Sequence, residues 1–277
     1  MRSVTFLFFF LLFSFSYGKP VIYTTVKPIA DIILEITGSN VHYIIPPGVS
    51  PHIYEIKFSS LKGIYNADLF VYIGSGEPHM KGLLQSIPEE KKVRLLNLKG
   101  LHIIEDEDHH HKHPAIWLDP ENAITIAKHI EKKLEKIDPK NREEYRRRLD
   151  TFVRRVKEIK NYGIEKFKKL KNRKFISYHY AWPYFTQAFH LEYAGVIEMG
   201  HGREPTPGHI MSIINTIKKY RIKTIFASKQ FYNKKYISLI KNSVDVKVVF
   251  LDPFGIDRKY IDMMRYNIDM VYKGLSQ

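Results

Sequence analysis

The sequence predicts an α/β protein of two Rossmann-like lobes, each built on a four-stranded parallel sheet, bridged by one long α-helix. Three observations predict it. Short β-branched and aromatic runs recur along the 277 residues, each followed by a loop and a helical pattern. The runs are apolar throughout instead of alternating, as in strands covered on both faces of a parallel sheet. Four of them fall on each side of a single long amphipathic segment, so two sheets are expected, not one.

The elements follow in order. Met1-Arg2 supplies a positive start, residues 6–15 are almost wholly apolar, and Ser16-Tyr17-Gly18 offers small residues for a signal peptidase. Residues 1–18 are therefore expected to be a secretory signal peptide cleaved after Gly18. The run falls short of the roughly 20 residues that span a bilayer. The first lobe, residues 19–140, takes its strands from 21–26, 41–45, 69–73 and 93–98. "WLDPENA" opens a helix, with Asp119 as N-cap and Pro120 in the first turn. Residues 141–170 form the bridge. Tyr145, Leu149, Phe152, Val156 and Ile159 recur at spacings of four and three, and Phe167 and Leu170 resume the seam. Gly163 sits on that seam, where a missing side chain lets another element come close. Such a helix of some 30 residues spans about 45 Å and is stiff. The second lobe, residues 171–277, takes its strands from 174–178, 193–198, 223–227 and 246–251. No internal sequence repeat accompanies the repeated architecture.

Composition narrows the function. The chain has no cysteine. A disulfide framework is excluded, as is the lipid-modified cysteine that tethers many exported bacterial proteins; any metal site must use His, Asp and Glu. The net charge of +15 would suit nucleic acid. The export signal argues against that partner and leaves attraction to an anionic surface as the milder reading. A free, monomeric periplasmic protein is expected.

Candidate ligands collect after the strands, where open α/β sheets bind. "GVSPHIYE" carries His52, and "GSGEPHM" carries Glu77 and His79. "EDEDHHHKHP" carries His109, His110, His111 and His113. "SYHYAWPYF" carries His179, "EMGHGREPTP" carries Glu198, His201 and Arg203, and "LDPFGID" carries Asp252. Each has an ordinary explanation alone. His179 could be a core histidine among aromatics, and Asp252 before Pro253 is a common turn former. As a set at equivalent strand ends they point to one site in a cleft between the lobes. Imidazoles with a carboxylate suit Zn2+, and a carboxylate-richer set would lean to Mn2+. The run His109–His111 is a mobile metal collector in this reading.

Taken in order, "GVSPHIYE", "NADLFVYIGSGEP", the histidine-rich loop, "WLDPENA", "SYHYAWPYFTQAFHLEYAG", "EPTP", "FLDPFG" and "YIDMMRYNIDMVYKGL" resemble the zinc- and manganese-specific solute-binding proteins of bacterial ABC importers. The resemblance covers nearly the whole mature chain. It implies two α/β lobes joined by a long helix, a metal between them, and an ABC permease as partner. It implies His52, His179 and Asp252 as metal ligands, with the His at 179 pointing to the zinc branch. One position departs: the family usually has His two residues before the tryptophan, and here that residue is Ala115. His113 from the loop is the favoured replacement, with His79 or His201 as substitutes and water as a further possibility.

Two other classes compete. A secreted zinc hydrolase would also use two His and one Asp around an open position, but the chain has neither HExxH nor GxSxG. A binding protein for a metal chelate would share the lobe–helix–lobe fold. Tyr178, Tyr180, Trp182 and Tyr184 could line its roomier cleft, although at these spacings they read more readily as core.

Overall fold

Two parallel sheets of four strands each carry the fold. The computed structural model describes residues 18–106, 111–198 and 204–276. The expected signal peptide up to Tyr17 lies outside these, as do His109, His110, His201 and Arg203.

In chain order the first half contains β1 (Ile22–Val26), α1 (Lys27–Thr37), β2 (Val41–Ile45), α2 (Phe58–Tyr65), β3 (Leu69–Tyr72), α3 (Lys81–Ser86) and β4 (Lys92–Arg94). A short antiparallel ribbon follows, β5 (Glu105–Asp106) with β6 (His111–Lys112), and then α4 (Pro120–Ile137). The long α5 (Arg142–Phe167) leads into β7 (Lys174–His179), α6 (Pro183–Ala188), β8 (Glu192–Glu198), α7 (Pro207–Tyr220), β9 (Thr224–Ser228), α8 (Lys234–Lys241), β10 (Lys247–Leu251) and α9 (Tyr260–Leu275). The sheets run β2-β1-β3-β4 and β10-β9-β7-β8. Each half therefore repeats one topology, with its first strand between its second and third. Order reverses beside β1 and beside β7, and the crevice at that reversal is where such sheets take ligands.

All eight expected sheet strands form. The fourth is shorter than its apolar run: it ends at Arg94, and Leu95–Asn97 becomes a 3-10 turn that buries Leu95 and Leu96. The ribbon flanking the histidine run was not anticipated. The N-cap of α4 is as predicted, with the Asp119 carboxylate accepting from the Glu121 amide at 2.9 Å.

Helix α5 has 26 residues, which corresponds to about 39 Å, a turn shorter than the seam alone suggested. Tyr145, Phe152, Val156, Ile159, Gly163 and Phe167 are buried along one stripe. That stripe joins a continuous core running from β1 and α1 through α4 and α5 to Trp182, Phe185 and the α9 residues Met263 and Ile268. A Cβ at Gly163 would stand 2.4 Å from a Phe189 ring carbon, so the absent side chain is what admits Phe189. A core shared this way resists large rotation of one sheet against the other. A second, smaller core fills the other face of the second sheet, under α7 and α8. Among the described residues no helix is long and apolar enough to cross a membrane.

Candidate metal centre

His52 and His179 face each other across the junction of the two halves, ring centroids 6.1 Å apart and planes inclined at 60°. His52 comes from the loop after β2. Gly76 makes room for it: its φ of +72° is left-handed, and a Cβ there would lie 2.9 Å from Pro114 and 3.6 Å from the His52 ring. The same loop is held from the other half, where the Gln230 amide donates to the Pro47 carbonyl at 2.6 Å.

His179 ends β7 and is buried. Its ring stacks on Phe231, centroids 3.9 Å apart, in the crevice between β7 and β9. Its Nδ1 lies 3.3 Å from Glu198 Oε2. That contact depends on a bulge. β7 and β8 start in register with Lys174 opposite Glu192, slip by one residue after Phe175, and end with His179 opposite Glu198. Without the slip, Ile197 would face His179.

Two cavities meet at this pair. One, of about 410 Å³, is lined by His52, His113, Ala115, Trp117, His179 and Phe254 among others. The other is an open cleft of about 1310 Å³, lined by His52, Glu77, His111, His179 and Glu198 together with Arg94 and Lys92. His111, at the end of the histidine run, thus reaches the same cleft as the two facing histidines. Among the described residues no three His, Asp or Glu stand close enough together to hold a metal ion as placed.

The other predicted residues have different surroundings. His113 is buried, its Nδ1 accepts from the Ala115 amide at 3.3 Å, and its Nε2 donates to the Tyr180 carbonyl at 2.9 Å. Both ring nitrogens are occupied by backbone, and both bonds cannot survive if this ring is to bind a metal. Tyr184 supports the arrangement by donating to the His113 carbonyl at 3.1 Å while accepting from the Ile104 amide. Burial pushes its phenol up to about 12, so it remains a neutral donor. Tyr178, Trp182 and Tyr184 are core residues.

Asp252 follows β10, and its carboxylate is enclosed by its own turn. Oδ1 accepts from the amides of Phe254 and Gly255 at 3.2 and 2.8 Å, and Oδ2 from the Ile256 amide at 2.9 Å and from Arg258 at 3.5 Å. Four donors match the acceptor capacity of a carboxylate. The turn presents Pro253 and Phe254 to the smaller cavity, and the Pro253 carbonyl accepts from the Trp117 indole at 2.7 Å. "IWLDP" and "DPFG" are therefore the two sides of one inter-sheet contact. His79 is exposed on the short turn Pro78–Met80. Glu77 caps the end of β3, accepting from the Ile73 and Gly74 amides at 3.3 and 2.9 Å. Burial raises its pKa above the ordinary carboxylate value, and the Gly74 amide partly offsets this.

Sequence reasoning singled out Glu198 as a strand-end carboxylate but not as the partner of His179. The available signal was that both residues end neighbouring strands; the bulge that aligns them leaves no mark in the apolar pattern. Phe231 carried no sequence signal.

The comparisons with known proteins agree with this fold. The family model described as "ZnuA: Zinc-uptake complex component A periplasmic" matches residues 22–274. A metal ABC transporter substrate-binding lipoprotein of Lactococcus lactis subsp. lactis is 27% identical over 90% of this chain and 86% of its own length. The manganese-binding lipoprotein MntA of Halalkalibacterium halodurans is 26% identical over 92% of this chain and 88% of its own. A crystal structure of ZnuA superposes with a TM-score of 0.83 at 25% identity, covering 93% of this chain and 99% of that one. The relatives are substrate-binding components and not enzymes. The chain belongs to the ZnuA family of periplasmic metal-binding components of ABC importers.

Proposed function

We propose that the protein captures Zn2+ outside the cytoplasm and hands it to an ABC permease, with His52 and His179 as the two imidazole ligands. The facing of these rings at 6.1 Å carries the reading. Two imidazoles on one ion, with nitrogens at about 2.0–2.1 Å, have ring centres roughly 5–6 Å apart. A small approach of the rings therefore brings both nitrogens onto one cation, and the shared core and α5 allow only small movements. A site with two nitrogen donors favours Zn2+ over Mn2+. In this reading 19–140 and 171–277 are the lobes and 141–170 the bridge.

Glu198 fixes the ring of His179 through Nδ1, leaving Nε2 for the metal. Asp252, the carboxylate expected from the family, enters the coordination only by giving up donors of its own turn. His111 stands in the open cleft as a staging ligand. The chain has no cysteine for a lipid thioether, so release into the periplasm as a free protein is part of the proposal.

Competitive dialysis of untagged protein against Zn2+ and Mn2+, with elemental analysis, tests it. Zinc should be retained at equimolar competition, and each of His52→Ala and His179→Ala should abolish retention. Preference for manganese, or retention by both variants, contradicts the assignment.

A second reading has one observation behind it. The smaller cavity beside the histidine pair has about 410 Å³, within the range of small-molecule pockets, and Ala115 stands where the family has a histidine. A metal arriving with a small chelator would fill that space. Tighter binding of a zinc chelate than of zinc alone would favour it.

A further inference from the structure

The charge of this protein is concentrated at one end. The three links that carry the chain from α5, α7 and α8 into β7, β9 and β10 read "KKLKNRK" (168–174), "KKYRIK" (218–223) and "KNSVDVK" (241–247). They carry eleven lysines and arginines against one acid, Asp245. The corresponding links into β1 to β4 of the first half carry Lys19, Lys91 and Lys92 against Asp68, Glu89 and Glu90. The excess is therefore not a uniform consequence of a basic composition.

The links form one surface. The Asn172 side chain donates to the Tyr220 carbonyl at 3.1 Å, tying the first to the second. The Lys247 amide donates to the Lys223 carbonyl at 2.9 Å, tying the third to the second. Tyr220 is exposed at their centre, with Lys174 and Lys219 over its ring at 4.6 and 5.1 Å. Among the described residues Lys168 and Lys174 are ion-paired, with Glu165 and Glu192, and the remaining nine cations enter no ion pair. Cations at helix C-termini answer the helix dipole within the last turn. Arg173, Lys223 and Lys247 lie beyond that reach, at the starts of strands. Assembling them costs repulsion that a polyanionic partner would relieve.

We propose that this face binds anionic phospholipid headgroups at the membrane surface. Lysines around an exposed tyrosine suit the headgroup layer, where charge and an amphipathic ring are both accommodated. Two of the relatives described above are lipoproteins, whereas this chain has no cysteine to carry a lipid. Charge then does reversibly what a lipid does permanently. The strands of the second sheet start at this face and end at His179 and Glu198, so the bound protein opens its cleft away from the bilayer for loading. Delivery to a permease requires it to let go, so the attachment is weak and salt-sensitive.

The proposal rests on membership of a membrane-associated importer family and not on which metal is carried. Co-sedimentation of the mature protein is measured with vesicles of phosphatidylcholine alone and with phosphatidylglycerol added, at low salt and at about 0.15 M, where the screening length is about 8 Å. Pelleting should need phosphatidylglycerol, fall at least several-fold with salt, and be lost in the triple variant Arg173→Glu, Arg221→Glu, Lys223→Glu. Zinc titration and circular dichroism of that variant should match the parent, which separates loss of this surface from loss of the metal site or fold. Equal pelleting with neutral vesicles, undiminished pelleting of a folded variant, or preference for a soluble polyanion such as duplex DNA overturns the proposal.

Discussion

Asp252 and Glu198 both follow strands of the second sheet, yet they do opposite things. Asp252 is enclosed, with amides of residues 254, 255 and 256 and the Arg258 guanidinium on its oxygens. Glu198 lines the open cleft and touches His179. The first carboxylate shapes its own turn; the second touches the His179 ring directly. The difference teaches that a strand-end position does not settle a role. What decides it is whether local backbone amides reach the side chain before a ligand can.

The largest effect belongs to the two facing imidazoles. His52→Ala or His179→Ala should weaken zinc binding by more than about 100-fold, beyond the range for residues that only orient ligands. Calorimetry checks this, and a loss below 10-fold in either variant would separate that ring from the metal.

Next come the carboxylates themselves, which should differ in kind. Glu198→Gln should cost roughly 10- to 100-fold in zinc affinity while leaving the apo melting temperature nearly unchanged. Asp252→Asn should destabilise the apo protein by about 1–3 kcal/mol, since the turn loses charge-assisted bonds to its amides. Thermal unfolding and titration of both variants would show the split. If Asp252→Asn instead costs affinity with no loss of stability, the two residues have been assigned the wrong way round.

Ala115→His should produce a smaller change of the opposite sign. Residue 115 is buried and lines the smaller cavity with both histidines, so an imidazole there adds a donor to the pair. Zinc should bind several-fold more tightly. An unchanged constant would mean that the position is filled by other means.

The smallest effect concerns Glu77, whose pKa burial raises. A raised value means that the folded state holds the proton more firmly than the unfolded chain. Its contribution to stability is therefore greatest in acid, below the ordinary carboxylate pKa, and is lost as pH rises through the folded pKa. Glu77→Gln removes that dependence, so the parent should lose stability relative to the variant across this window and run parallel above it. Melting temperatures from pH 4 upward in metal-free buffer would check the sign.

Much of this was legible in the residues. The eight sheet strands were, because continuous apolar runs have few other uses. So was the bridge, because Tyr145, Phe152, Val156 and Ile159 leave one seam, and the role of Gly163 followed from its place on it. His52 and His179 were legible as histidines at strand ends, and the resemblance paired the two rings that face each other. The partner of His179 was not, because it depends on a one-residue slip between β7 and β8 that no hydrophobic pattern records. Nor were the roles of His113 and Asp252 decidable: each is a good ligand by type, and what occupies its polar atoms is nearby backbone. Asp252 had two readings in the sequence, ligand and turn former, and only three-dimensional placement weighs one against the other.

Anomalous diffraction at the zinc edge, from a crystal of the untagged protein grown with Zn2+, tests the central claim most directly. One strong peak is expected between the rings of His52 and His179, within bonding distance of a nitrogen of each. A peak that touches only one of these histidines, or that lies on the loop histidines with the pair left empty, would contradict it.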